Sequence, residues 1–197
     1  MKQHPEEKRG ENAAGVRARE CARRLRRLMP FPGTSPIVRL MPGMVFFDPQ
    51  PHRLMTLLGS CVAVCLWDSR RRMGGMTHSL VPKAGRARDE ASHHATDQAV
   101  LELIRRMTAA GCHTDFMQAK LFGGFSALAS MRQGKGIGAA NVEAAIHILK
   151  QHDIEVVAQE ILGEGGMVIC QNTETGEVIG RKIEPMLLAD GTDAIAL

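Results

Sequence analysis

Apolar residues recur along this chain in two different periods, and the change from one to the other marks out its elements. From Ile37 the runs are short and extended: IVRLM, then MVFF, then RLMTLL, ending at Gly59. Residues 61–67 (CVAVCLW) are apolar and rich in valine, which predicts a buried strand. A polar connection, 68–73, leads to a second strand in GGMTHSLVP, residues 74–82. The period then lengthens. Ala95, Ala99, Val100, Leu103, Ile104 and Met107 fall three or four apart, predicting a helix that Gly111 closes and that Asp89 in the preceding loop could cap. AKLFGGF (119–125) reads as a strand running into a glycine turn. A second helix is expected over 141–151, with Asn141 as its cap and Val142, Ala145, Ile146 and Leu149 inward. A strand (IEVVAQE) follows, then a hairpin turning at Glu174, Thr175 and Gly176. Strands outnumber helices, and the helices sit mid-chain. The expected fold is an α/β sandwich, β-sheet strands flanked by helices in one domain.

Ahead of Ile37 the pattern is different. Residues 1–12 are charged, and from Ala14 a helical stripe runs through Ala18, Cys21, Leu25 and Leu28 among arginines until Pro30. Met29 to Pro36 is a turn-rich linker, so the expected organisation is a basic extension over 1–36 and a domain over 37–197. Charge supports that division. The net charge is +4, yet residues 1–28 hold nine Lys/Arg against four Asp/Glu. With 25 basic and 21 acidic residues in all, the remainder is close to neutral. A basic amphipathic stretch suits an anionic membrane or a partner groove, or serves as a solubilising extension.

Composition excludes some functions. Only 4% of residues are aromatic and none is tyrosine, so base-stacking nucleic-acid binding has little to build on. No apolar run approaches the roughly 20 residues of a membrane span, and the first residues lack a secretory core. Five cysteines without a signal peptide point to a reducing cytoplasm rather than a disulfide framework.

The candidate chemistry centres on LLGSCVAVCLWD, residues 57–68. Cys65 lies within the apolar strand and reads as packing. Cys61 follows Gly59 and Ser60 at a strand entrance, where successive backbone N–H groups can stabilise an oxyanion. A thiol is mostly protonated at neutral pH and needs a base. His78 is the candidate. If 61–67 and 74–80 pair antiparallel, His78 lies near positions 61 to 63, while a slip in register would favour Cys65. Zinc held by Cys61, Cys65 and His78 is disfavoured, because four strand positions separate the sulfurs by about 13 Å. The pairs His93-His94 and Cys112-His113 are weak metal candidates, and Gly134 to Asn141 lacks the ending of a phosphate loop. No metal or organic cofactor is expected.

Five segments together resemble the chemoreceptor glutamine deamidases of bacterial chemotaxis (CheD type): LLGSCVAVCLWD, GGMTHSLVP, AKLFGGF, IGAANVEAAIHIL and NTETGEVIGRK, in family order. The most specific feature is GSCV followed by GGM-x-H, its histidine seventeen residues past the cysteine. The resemblance implies an α/β sandwich enzyme that converts receptor glutamines to glutamate. Its nucleophile would be Cys61 and its base His78, with oxyanion support from Gly59 and Ser60. Family members commonly carry a threonine six residues before the nucleophile, which is Met55 here. The neighbouring Thr56 is then expected to serve only through a bulge or a shifted register, since strand neighbours face opposite ways. The implied partners are methyl-accepting chemotaxis receptors and a phosphatase of the response regulator. Membrane contact would be indirect or through the N-terminal extension. A docking module without catalysis, or a cysteine peptidase or acyltransferase using the same pair, are the competing readings.

Overall fold

The computed structural model describes residues 34–83, 93–126 and 136–183. The helical pattern over 14–28 and the expected cap at Asp89 lie outside the described residues. Among the described residues nine strands run in chain order: β1 (Ile37–Arg39), β2 (Met44–Phe47), β3 (Arg53–Leu58), β4 (Val62–Asp68), β5 (Met73–His78), β6 (Met117–Gly123), β7 (Glu155–Ile161), β8 (Gly166–Asn172) and β9 (Val178–Ile183). Two helices, α1 (Thr96–Ala109) and α2 (Ile137–Gln151), fall between β5 and β6 and between β6 and β7.

The strands form two sheets, ordered β1-β3-β8-β9 and β2-β5-β4-β6-β7. Alternation along β4 decides what each face of the larger sheet meets. Val62, Val64 and Leu66 join Leu103, Met107, Ala145 and Leu149 in one core, beneath the helices. Ala63 and Cys65 join Leu54, Leu58, Met167 and Ile169 in a second core, between the sheets. β4 is therefore covered on both faces, which explains its unbroken apolar sequence. The result is an α/β sandwich: helices, five-stranded sheet, four-stranded sheet.

Local chemistry sets most boundaries. α1 buries Ala99, Val100, Leu103, Ile104 and Met107, as the period predicts. It ends at Gly111, where φ is +86°; Gly111 N–H donates to Thr108 O and Cys112 N–H to Met107 O, a Schellman closure. β6, α2 and β7 form a crossover between parallel neighbours. The β8–β9 hairpin turns where expected, with Asn172 Oδ1 accepting from the backbone N–H of Glu174 at 2.9 Å.

Two expectations for α2 are corrected. The helix begins at Ile137 after an N-cap at Gly136, so Asn141 is inside it, fully buried, and not its cap. Ile146 is 39% exposed, and Ile148 faces the core instead. The helix starts a full turn earlier than its polar residue suggested, because Gly138 packs directly against the Gly124 backbone.

Candidate active site

Cys61 and His78 reach the same place through the register of β4 and β5. Cys65 pairs with Met76 and Leu66 with Gly75, and the same antiparallel register sets His78 across from Ala63. A bridge between Val62 and Ser79 continues it, with N–H···O distances of 3.0 and 2.9 Å in the two directions. Cys61 is thus the diagonal neighbour of His78 on the face that looks into the gap between the sheets. The slip that would have favoured Cys65 does not occur.

The third side chain comes from the other sheet. Thr56 Oγ1 lies 2.7 Å from His78 Nδ1 and 2.9 Å from the Leu40 carbonyl oxygen. A carbonyl can only accept, so the single hydroxyl proton of Thr56 goes to Leu40 O. The threonine oxygen must then accept from Nδ1–H, which also approaches Leu40 O at 3.3 Å. In the neutral imidazole this leaves Nε2 unprotonated, and that buried atom has no partner among the described residues. The arrangement supplies a lone pair facing the gap.

Thr56 reaches His78 without a bulge or shifted register, which corrects the expectation from the chain. β3 pairs with β8 without interruption from Arg53↔Asn172 to Leu58↔Met167. Within it Thr56 faces the inter-sheet core, while Met55 faces the opposite side and packs with Val168 and Cys170. The threonine therefore occupies the position next to the one where it was sought.

Environment sets the protonation states. Burial raises the Cys61 thiol above its ordinary value, partly offset by the backbone N–H groups of Cys61 itself and of Gly59, which face the sulfur. Burial likewise lowers the His78 imidazole, the Leu40 carbonyl opposing that shift. Both shifts favour the uncharged form of the side chain. Cys65 is buried more completely, and its thiol is pushed further up.

Three supporting features were not assigned to the site from the chain. The Leu40 carbonyl orients Thr56, and no sequence signal could reveal a backbone group. Gly123 and Gly124, with φ of +107° and +69°, let β6 close against the cysteine turn: Gly124 N–H donates to Cys61 O and Phe125 N–H to Gly59 O, each at 2.8 Å. The paired glycines were the visible signal. Asn141 donates to Ser60 O and Leu80 O, and its signal was a polar residue on the inward face of a helix. Among the described residues no group of three or more His, Cys, Asp or Glu is placed to hold a metal, and no helix is long and apolar enough to cross a membrane.

A two-sheet α/β sandwich carrying a cysteine, a histidine and a cross-sheet threonine at one end of its central strands defines the class. Comparison with known proteins narrows it. Residues 80–182 match the family described as CheD chemotactic sensory transduction. A protein of Rhodospirillum rubrum named a probable chemoreceptor glutamine deamidase CheD is 36% identical, over 77% of this chain and 85% of its own. Proteins of the same name from Trichlorobacter lovleyi and Methanococcus maripaludis are 37% and 30% identical, each over 74% of this chain and over 91% and 95% of their own lengths. The chain belongs to the CheD family.

Proposed function

We propose that this protein is a chemoreceptor glutamine deamidase, with Cys61 as nucleophile, His78 as general base and acid, and Thr56 orienting the imidazole. One observation carries the reading: the 2.7 Å contact of Thr56 Oγ1 with His78 Nδ1, which leaves Nε2 as the basic nitrogen on the face shared with Cys61. The names of the relatives point to chemoreceptor glutamines as the substrate, which we take to be side chains of methyl-accepting chemotaxis receptors.

The steps follow from that geometry. As Sγ of Cys61 attacks the carboxamide carbon, its proton passes to His78 Nε2, and the C=O electrons move to oxygen. Backbone N–H groups in the Gly59–Cys61 turn, which already face the sulfur, are suited to hold that oxyanion. When the tetrahedral species collapses, the C–N bond breaks, and Nε2–H protonates the departing nitrogen, which leaves as ammonia. Water then attacks the thioester carbon, giving its proton to Nε2. The C–S bond breaks, releasing glutamate, and the thiolate recovers its proton. Acid–base assistance of this kind contributes about 10²- to 10⁴-fold.

Mass spectrometry of receptor cytoplasmic fragments tests the reading. Incubation with the protein should add about one dalton at defined glutamines, because NH is exchanged for O in the side chain. Cys61→Ala should abolish the change. A folded wild-type protein that leaves every cognate receptor unmodified would sink the proposal. Residues 37–197 are proposed as the catalytic unit and the cytoplasm as its compartment. Docking to a response-regulator phosphatase is proposed as a second interaction. Met55 at the usual threonine position would favour docking without catalysis, whereas Thr56 facing His78 supports the catalytic reading.

A further inference from the structure

Asn141 has no part in the reaction proposed above, yet it is fully buried and its amide is fully engaged. Nδ2 donates to the carbonyl of Ser60 at 3.2 Å and to the carbonyl of Leu80 at 3.0 Å, using both amide hydrogens. The Thr96 hydroxyl, also buried, has a single proton, which lies between two acceptors, Val81 O at 3.0 Å and Asn141 Oδ1 at 3.3 Å. The two carbonyls can only accept, so they fix which end of the amide is nitrogen and leave Oδ1 facing Thr96. Ser60 immediately precedes the proposed nucleophile, and Leu80 lies two residues past the proposed base.

These contacts fall where the β4–β5 ladder stops. Val62 and Ser79 exchange both backbone hydrogen bonds, so the next hydrogen-bonded pair in the same register would be Ser60 with Val81. That pair does not form. Val81 N–H instead donates to His94 O at 3.0 Å, and Val81 O accepts from the backbone N–H and hydroxyl of Thr96. Ser60 O accepts from Asn141. Two side chains on the two helices therefore take over the carbonyls that a longer ladder would have used. Had the ladder run on, Ser60 would be zipped against Val81, with its N–H and carbonyl both drawn into pairing.

We propose that Asn141, oriented by Thr96, is a positioning residue that ends the β4–β5 ladder and holds the Cys61 turn at a fixed separation from His78. The inference rests on the Cys61–His78 reading but concerns thiol geometry, not substrate contact. Its effect falls on the reactivity of the thiol and on kcat, with KM little changed.

The test uses the full chain in four forms: wild type, Asn141→Ala, Thr96→Val and Thr96→Ser. Two quantities are measured on protein shown to be folded by circular dichroism. One is the rate of Cys61 alkylation by iodoacetamide between pH 5 and 9, read by peptide mass spectrometry. The other is kcat and KM for deamidation of a receptor fragment. Asn141→Ala and Thr96→Val should lower kcat roughly 10- to 100-fold, the effect of displacing a reacting group by about 1 Å. Both should also change the pH profile of alkylation, and Thr96→Ser should restore the wild-type profile relative to Thr96→Val. A residue serving only stability would lower the melting temperature and leave the profile and the kcat of the folded protein alone; that result overturns the inference. If Asn141→Ala does not fold, the Val and Ser variants at Thr96 decide on the same criteria. A wild type inert on receptors, with profiles that still shift in the variants, would uphold the positioning role and reject the deamidase reading.

Discussion

Four thiols among the described residues share one polypeptide and differ in what surrounds them. Cys65 sits at 1% exposure between the sheets, and burial holds its thiol far above the ordinary range. Cys112 and Cys170 are pushed up to about 11, chiefly by burial. Cys61 alone among them is part-exposed and faced by backbone N–H groups. Iodoacetamide at pH 8 should therefore label Cys61 at least tenfold faster than the other three in the native protein, with the difference vanishing in urea. Comparable labelling of Cys65 before unfolding would contradict the packing described. Cys65→Ala should retain most deamidase activity while lowering stability by about 1–2 kcal/mol, the cost of a small void, read from a urea midpoint. The roles of these residues were partly legible in the chain. An apolar strand context marks Cys65 as packing, and a glycine turn marks Cys61 as presented. Thr56 was named from the chain as the third residue, but its direct route to His78 was not legible, because it depends on which face of β3 meets a sheet built from distant sequence.

At the level of elements, legibility follows sequence separation. The period of α1, its Gly111 closure and the 174–176 turn are local patterns, and the structure realises each one. The β4–β5 pairing was also within reach, since the connection is short, while its register was left open by the chain and is given by the structure. The pairing of β3 with β8 joins residues more than a hundred positions apart, and no local pattern specifies it. Thr56 faces His78 only because of that pairing. The start of α2 was misplaced for a related reason: Gly138 meets the backbone of Gly124, a contact between separate elements that no local pattern reveals. The same glycine turn carries a prediction. A Cβ added at Gly123 would run into the Cys61 carbonyl, and φ of +107° is strained for any other residue. Gly123→Ala should cost at least about 1–3 kcal/mol in urea unfolding and depress deamidation further than the folded fraction explains. An alanine variant with wild-type kcat would show that the turn is not coupled to the cysteine.

Across the whole molecule the site ties stability to pH, because its groups are held in their uncharged forms by the packing of one sheet on the other. His78 titrates below its ordinary value of 6.5 in the folded protein. As pH falls through that value, the unfolded chain binds a proton on this imidazole that the folded protein resists, so stability falls. The loss continues until the folded imidazole itself protonates. The thiols act at the other end. Cys61, Cys112 and Cys170 titrate above their ordinary 9.0 when folded. Above pH 9.0 the unfolded chain releases thiol protons that the folded protein retains, so stability declines again. Urea midpoints should therefore peak between about pH 6.5 and 9, the interval between those two ordinary values. His78→Gln removes one titrating group and should flatten the acid limb while leaving the alkaline limb in place. The slope is the informative quantity, since the loss of the Thr56 contact lowers stability at every pH. An acid slope unchanged in the variant would mean that His78 is not held neutral by its surroundings. A flattened slope, together with an acid limb of kcat/KM that lies below pH 6.5 in the wild type, would join fold stability and catalysis to the same buried imidazole.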